Sequence, residues 1–178
     1  MKLITLALLM TCLLTLNAHA EPKQNPANGN WYDVVEADGA ALNYWDDAER
    51  LAMALGGHLV SIQDSAEQTW IFNNIVSGSN RNYLIGLNDV LAEGSLSWSD
   101  GDASSYANWR SGYTNTAGKD YAYIRQSDGL WDIGYAKDYR LGIAEIPVAT
   151  PEPISAALFV LGGAILLRRK CARAQVRK

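Results

Sequence analysis

Cysteine is almost missing from this sequence, and the few residues present lie at its ends. Of 178 residues only Cys12 and Cys171 are cysteines. A disulfide-stapled scaffold is therefore excluded for the long segment between them, and so is a cysteine nucleophile. Its stability must come from packing, for which all six Trp and all nine Tyr, found between Trp31 and Tyr139, supply large side chains.

Histidine is also scarce. Between Glu21 and Thr150 the only histidine is His58, and there is no Gly-x-Ser-x-Gly or His-Glu-x-x-His motif, so the usual nucleophilic and zinc-dependent active sites are excluded. A carboxylate pair such as Asp100 and Asp102 is the one arrangement that glycoside hydrolysis could use, although acidic loop residues usually only solvate the chain. We therefore expect no enzymatic activity.

Positive charge is scarce in the same segment. Residues 21–150 carry eight Lys and Arg against eighteen Asp and Glu, whereas residues 168–178 carry six basic residues and no acid. An acidic domain of this kind repels nucleic acid, which we therefore exclude as a partner.

The first twenty residues have the pattern of a cleavable secretory signal peptide. Lys2 supplies the positive start, an apolar run extends from Leu3 to Leu16, and Ala18-His19-Ala20 forms a small-x-small cleavage site. We therefore expect an exported protein, with residues 21–29 as a linker to the folded part.

The C-terminal end changes composition abruptly after Thr150. Pro151-Glu152-Pro153 precedes an apolar run of fourteen residues, Ile154 to Leu167, and then a basic flank. At about 1.5 Å per residue this run reaches only about 21 Å, less than the roughly 30 Å of a hydrocarbon core. Counting from Pro151 brings the segment closer to a span, and the basic flank predicts a cytoplasmic C-terminus.

This end resembles the PEP-CTERM sorting signal of Gram-negative bacteria, in which Pro151-Glu152-Pro153 corresponds to the sorting motif. The resemblance implies an inner-membrane intermediate, cleavage near the motif by an exosortase, and transfer to the cell surface or release outside the cell. A permanent single-pass membrane anchor is the alternative.

The first half of the domain is predicted to contain two helices, each preceded by a strand. The first strand is predicted at Trp31 to Val35. Asn43 offers an N-cap to an amphipathic helix that ends at Gly56-Gly57, and His58 to Ile62 is typical of a strand. Asp64, with Glu67 three residues on, predicts the start of a second helix, which ends at Ser77-Gly78-Ser79-Asn80.

The second half of the domain is dominated by strands and one long loop. Strands are predicted at Tyr83 to Leu87, Tyr121 to Arg125 and Leu141 to Ile146, with a turn at Ser127-Asp128-Gly129. The stretch from Asn88 to Lys119 is rich in Gly, Ser, Asp, Asn and aromatic residues and has no clear period, which is typical of a functional loop. Together these features predict an α+β domain.

These landmarks, in this order, resemble the C-type lectin-like domain. The resemblance covers residues 30–147 and implies paired opening and closing strands, two flanking helices, small antiparallel sheets and a long loop that binds ligands. The motifs that carry it are Trp45 to Glu49, Gly56 to Ile62, Glu67, Ile85 to Leu87, Glu93-Gly94, Trp98 to Gly101, Tyr106 to Trp109, Gly129 to Trp131, and Ala144-Glu145. The domains we predict are 1–20 signal peptide, 21–29 linker, 30–147 lectin-like domain, 148–153 linker with the Pro-Glu-Pro motif, 154–170 transmembrane sorting helix with its basic flank, and 171–178 basic tail.

The chain departs from the family at the disulfide and calcium positions. The family's two bridges correspond to Ala52 with Ala144 and to Tyr121 with Ala136, so neither can form. Its primary calcium and sugar site corresponds to residues 113–115, 119–120 and 131–133, where only Asn115 and Asp132 remain as oxygen ligands beside the positive Lys119. We therefore expect that this site is lost. An accessory calcium site corresponds to Asp89, Glu93 and Asp120, which makes calcium a candidate cofactor, although acids are also ordinary loop residues.

Sugars can also be bound without calcium, by stacking on aromatic rings and by hydrogen bonds from amides and carboxylates. We expect core positions for Trp98, Trp131 and Trp109, with ligand contact as the alternative for Trp109, and Tyr113 is the best candidate for an exposed contact. We predict recognition of carbohydrate, above all extracellular polysaccharide, with a protein-interaction or matrix-structural module that binds a surface protein as the alternative. The candidate ligand-binding residues are Tyr113, Asn115, Asn108, Trp109 and Asp132.

Overall fold

The structure, a computed structural model, describes residues 21–37, 43–139 and 141–148. The described residues up to Ile146 belong to one compact unit. The predicted signal peptide, the Pro-Glu-Pro motif, the transmembrane sorting helix and the basic tail all lie outside the described residues. Within the described ranges, every helix is too short or too polar to cross a membrane.

Two helices form where the sequence supplies N-caps. Helix α1 (Tyr44–Ala54) begins because extended Asn43 accepts hydrogen bonds from the backbone N of Trp45 and Asp46 at 3.0 and 3.3 Å. The chain leaves α1 at Gly56, whose φ of +90° suits glycine. Helix α2 (Ser65–Ile71) begins in the same way on Asp64 and continues as a π-helical turn, Phe72–Val76.

The strands are β1 (Lys23–Gln24), β2 (Trp31–Glu36), β3 (His58–Leu59), β4 (Tyr83–Asn88), β5 (Ser97–Trp98), β6 (Tyr121–Ile124), β7 (Trp131–Gly134) and β8 (Leu141–Ile146). They form one sheet of order β1-β2-β8-β4-β6-β7, with β3 also paired to β8 and β5 to β4. This corrects the small antiparallel sheets that the resemblance implies, because β4 pairs parallel with β8 and so joins the strands into one mixed sheet. The predicted pairing of the opening and closing strands is confirmed, because β2 and β8 are antiparallel over six residue pairs from Trp31↔Ile146 to Glu36↔Leu141.

The structure corrects the sequence predictions in three places. The strand predicted from His58 to Ile62 is paired as a strand only at His58–Leu59, although Val60 still donates to Ile143 O at 2.8 Å. The segment 21–29, predicted as a linker, contributes β1 to the sheet, and Asn25 within it is buried. Strand β7 was not predicted, because its WDIG sequence is short and begins in a turn-rich stretch.

The core consists of two aromatic-rich clusters. In the larger one Trp131 is fully buried and meets the edges or faces of Trp98, Tyr106 and Trp109 at centroid distances of 5.6 to 5.8 Å. The expected core positions of Trp98 and Trp131 are thus confirmed. The second cluster contains Ala52 and Ala144, which occupy the positions of one of the family's disulfides.

Candidate ligand-binding site

The chain from Asp89 to Asp120 forms an irregular surface beside the sheet. Apart from β5 and one bridge residue, Trp109, it has no regular secondary structure, as the sequence predicts. Short local bonds fix its first turn: Ala92 N donates to Asp89 O at 3.1 Å, and Gly94 N donates to Asp89 Oδ2 at 2.8 Å. Leu91 lies in this turn and is 90% exposed.

Trp109 and Tyr113 form a flat aromatic stack. Their ring centroids are 4.1 Å apart and their planes differ by 9°. Trp109 packs against the buried core residue Trp131 edge-on, and both Trp109 and Tyr113 are partly buried. Trp109 therefore joins the pair to the core, and Tyr113 lies on its other side as a partly exposed ring.

Asp132 is engaged by an arginine that the sequence analysis did not consider. Arg110 Nε donates to Asp132 Oδ2 at 2.5 Å. Burial alone raises the pKa of Asp132, but the hydrogen bond and the positive charge of Arg110 outweigh it and leave that pKa below its ordinary value. The side chain is thus an ionised partner of Arg110 rather than a free oxygen ligand. Arg110 and Lys119 are the only basic residues between 88 and 119, and this isolation in an acidic loop could have indicated an ion pair.

Asn115, the second oxygen ligand that the sequence retains, is joined to the predicted accessory site. Its Nδ2 donates to Asp89 Oδ2 at 2.7 Å. Asp89 is only 2% exposed, and its Oδ1 and the Oδ1 of Asn115 are buried without a hydrogen-bond partner among the described residues. Asp120 is adjacent: Asp89 N donates to Asp120 O at 3.1 Å, and the pKa of Asp120 is raised first by burial and then by the charge of Asp89.

The predicted trio of metal ligands is only partly assembled. Asp89 and Asp120 lie together, while Glu93 is an exposed residue of the following turn. In the part of the chain that the structure describes, no three Asp, Glu, His or Cys side chains converge closely enough to form a metal site. The oxygen-rich set that the structure brings together is instead Asp89, Asp120 and the amide of Asn115.

Asn108, the remaining candidate ligand-binding residue, is hydrogen-bonded beside α2. Its Nδ2 donates to Gly129 O at 3.1 Å, and its backbone O accepts from Trp131 N at 2.8 Å. Gln68 of α2 also donates to Gly129 O, at 2.9 Å. Asn108 therefore lies against α2, and the five residues do not form one site.

The fold and the loop together define a class of protein: an α+β module with a long irregular loop, a core without cysteine, and a partly exposed aromatic stack. A family model described as the Lectin C-type domain matches residues 41–143. The chain belongs to the C-type lectin domain family, whose members are generally non-enzymatic binding proteins.

Individual relatives agree with this assignment. The chain is 37% identical over 76 residues to a perlucin-like protein of Mytilus galloprovincialis and 41% identical over 70 residues to the galactose-specific lectin nattectin of Thalassophryne nattereri. These matches cover 41% and 38% of this chain and 49% and 44% of the relatives, so they span about half of the relatives' length or less. The carbohydrate-recognition domain of the mouse scavenger receptor C-type lectin superposes with a TM-score of 0.60 at 26% identity, covering 74% of this chain and 98% of that domain.

Proposed function

We propose that this protein is a non-enzymatic carbohydrate-binding module that recognises extracellular polysaccharide. The observation that carries the proposal is the Trp109–Tyr113 stack, because a fixed, partly exposed ring is the feature that sugar stacking requires. Trp109 anchors the stack to the core, so the face of Tyr113 is fixed before a ligand arrives. Among the relatives, the name of nattectin as a galactose-specific lectin supports the ligand class.

The contribution of Tyr113 can be measured by affinity electrophoresis of the purified full-length chain through gels that contain neutral polysaccharides. Tyr113→Ala should weaken retardation about tenfold or more, which corresponds to about 1.4 kcal/mol of binding free energy. Tyr135→Ala is the matched control, since Tyr135 is 51% exposed outside the stack. Equal retardation of Tyr113→Ala and the parent would contradict the proposed role of Tyr113.

We also infer that calcium, on which C-type lectins generally depend, binds at Asp89, Asn115 and Asp120 rather than at the family's primary site. The residues of the primary site do not fit the ion, because Arg110 engages Asp132. The other set fits, because Asp89 Oδ1 and Asn115 Oδ1 are buried oxygens without a partner among the described residues, and such atoms are costly unless something binds them. When bound, the ion would neutralise the two carboxylates and hold the ends of the long loop together.

Calorimetric and melting titrations with Ca²⁺ test this site. We expect measurable heat and a stabilisation of about 2.7 kcal/mol at a free calcium concentration of 100 times Kd. Asp89→Asn should abolish both effects, while Asp100→Asn, the same change at an exposed loop acid, should leave them intact. Absence of heat and of any melting shift in the parent protein would contradict calcium binding. Retention of the response in Glu93→Gln would exclude Glu93 from the ligand set.

The cellular location that we propose follows from the two ends of the chain. A secretory signal at residues 1–20 and a sorting motif at Pro151-Glu152-Pro153 support export, an inner-membrane intermediate anchored by the C-terminal helix, and processing by an exosortase-type enzyme before transfer to the surface or release. Mass spectrometry of the exported protein should find a C-terminus near the motif. A retained Lys178 would contradict processing and favour a permanent anchor.

A protein-interaction or matrix-structural module is the second candidate. The specific observation that favours it is the Arg110–Asp132 pair, which removes an oxygen ligand of the calcium-dependent sugar site. If this candidate is correct, the purified chain should bind a surface protein of its own cell and should pass through every polysaccharide gel without retardation.

A further inference from the structure

A polar groove runs between α2 and the segment 102–108, away from the Trp109–Tyr113 stack. It consists of two neighbouring cavities of about 400 and 320 Å³ that share Tyr106 as a wall. Gln63 and Asp102 border the first cavity, and Thr69 and Asn108 border the second. We call this feature the α2 groove.

Hydrogen bonds between different elements fix the walls of the α2 groove. On one side of Tyr106, Gln63 Nε2 donates to Asp102 Oδ2 at 3.0 Å, and Ser104 Oγ donates to Ile62 O at 3.2 Å. On the other side, Gln68 Nε2 and Asn108 Nδ2 both donate to Gly129 O. The groove is therefore formed before any ligand binds, which lowers the entropy cost of binding.

The floor of the groove is connected to the core. Trp131 Nε1 donates to Gln68 Oε1 at 2.6 Å, and the ring of Tyr106 meets Trp131 at 5.6 Å and 80°. Tyr106 is only partly buried, so part of its ring remains open between the two cavities. Phe72 adds a second half-buried ring to the wall of the smaller cavity.

The chemistry of the lining selects a class of ligand. Hydroxyls and amides predominate, and no Lys or Arg is present among the described residues that line the cavities. The acids are already engaged: Asp102 accepts from Gln63 and from Ser104 N, and Asp128 pairs with Arg125 at 3.3 Å. A lining without cationic side chains does not favour an anionic ligand, and a polar lining does not favour an apolar one. Hydroxyls, amides and an open aromatic ring suit a neutral polyhydroxylated chain.

We propose that the α2 groove is a second, calcium-independent binding site for a stretch of neutral polysaccharide, with Tyr106 under one sugar ring and the cavities on its two sides taking the adjacent units. This inference rests on the proposed carbohydrate-binding function but not on Tyr113 or on calcium. It also gives a role to Asn108, which lines the groove.

The side-chain amides of Gln68 and Asn108 are direct reporters of the site. We would record ¹⁵N-labelled full-length protein in EDTA and titrate it with cellohexaose, laminarihexaose and mannohexaose. At least one of these probes should shift both side-chain amide signals. Shifts confined to the backbone amides of residues 111–116 would overturn the groove while leaving the proposed function in place. A spectrum that no glycan changes, with or without calcium, would contradict both.

A pair of matched variants tests the same point by affinity. Thr69→Arg places a long side chain in the groove from an exposed position of α2, and Thr114→Arg makes the same change at an exposed position beside Tyr113. In EDTA, Thr69→Arg should weaken at least about tenfold the binding that shifts the Gln68 and Asn108 side-chain signals, and Thr114→Arg should leave the binding read at those two signals unchanged. A dispersed amide spectrum confirms that each variant is folded. The reverse order of the two effects would overturn the proposal.

Discussion

Arg110 changes the chemistry of the loop through a single ion pair. Because it lowers the pKa of Asp132 in the folded chain, this carboxylate contributes stability above its ordinary pKa of 3.8, and the contribution is lost as pH falls through the lowered value. In Arg110→Met the hydrogen bond is absent and the pKa of Asp132 should rise. NMR titration of the Asp132 carboxyl carbon measures this directly, and an unchanged pKa would show that the pair is not formed in solution.

A carboxylate pair, buried Glu67 of α2 and partly buried Glu145 of β8, predicts the opposite pH dependence. Glu67 and Glu145 both accept from the hydroxyl of Tyr32, at 2.5 and 3.0 Å, and Asn30 also donates to Glu145. Burial, and then the charge of Glu67, raises the pKa of Glu145 above its ordinary value of 4.5. The stability that this group contributes is present below 4.5 and is lost as pH rises through the raised pKa.

The unfolding free energy, measured by urea denaturation across this pH range, should therefore decline in the parent protein as Glu145 ionises. Glu145→Gln cannot ionise and should remove that part of the decline. Glu36→Gln, the same change at an exposed strand position, should keep it. Parallel pH profiles for the parent and Glu145→Gln would contradict the assignment.

At the scale of single elements, the N-cap of α2 has a defined energetic role. Asp64 Oδ1 accepts from Ala66 N at 2.8 Å and from Glu67 N at 2.9 Å, while Glu67 Oε2 accepts from Gln63 N at 2.9 Å. Asp64→Ala should lower the unfolding free energy by about 1 kcal/mol. Asp64→Asn retains a capping oxygen and should cost only a few tenths of that. Equal losses in both variants would show that charge rather than capping is responsible.

The elements that sequence could predict are those specified locally. Helices α1 and α2 are marked by Asn43 and Asp64 as caps, and β8 is marked by an apolar run. Strands β1, β5 and β7 were not predicted, because their pairing depends on other segments of the chain: β1 and β5 are only two residues long, and β7 is defined by its register with β6. Strands this short contain too few residues to show the apolar–polar alternation by which a strand is predicted from sequence.

The candidate site shows the same division between local and distant causes. Trp109 and Tyr113 are only four residues apart in an aromatic-rich loop, so the sequence alone identified both as candidates for ligand contact. The partners Arg110 with Asp132, and Asn115 with Asp89, are 22 and 26 residues apart and meet only through the fold. The α2 groove combines α2 with segment 102–108 and the turn before β7, so its assembly could not be predicted even though Asn108 was a candidate ligand-binding residue.

At the scale of the whole molecule, the fold persists without the disulfides of its family. Ala52 and Ala144 are fully buried in one apolar cluster, and Tyr121 packs at 5.3 Å against Trp45 in the same cluster. Aromatic and small side chains thus fill the space where the family resemblance implies two bridges. Reducing agents should leave the melting temperature unchanged, which differential scanning calorimetry can check; a lowered melting temperature would show that a disulfide formed by Cys12 or Cys171 contributes to stability.

A glycan array probed with the purified full-length chain would show whether this module binds carbohydrate. We expect binding to neutral polysaccharide fragments both with calcium and in EDTA, because neither Tyr113 nor the α2 groove requires the ion for contact with sugar. If a folded sample of the protein binds no glycan under either condition, carbohydrate is not its ligand.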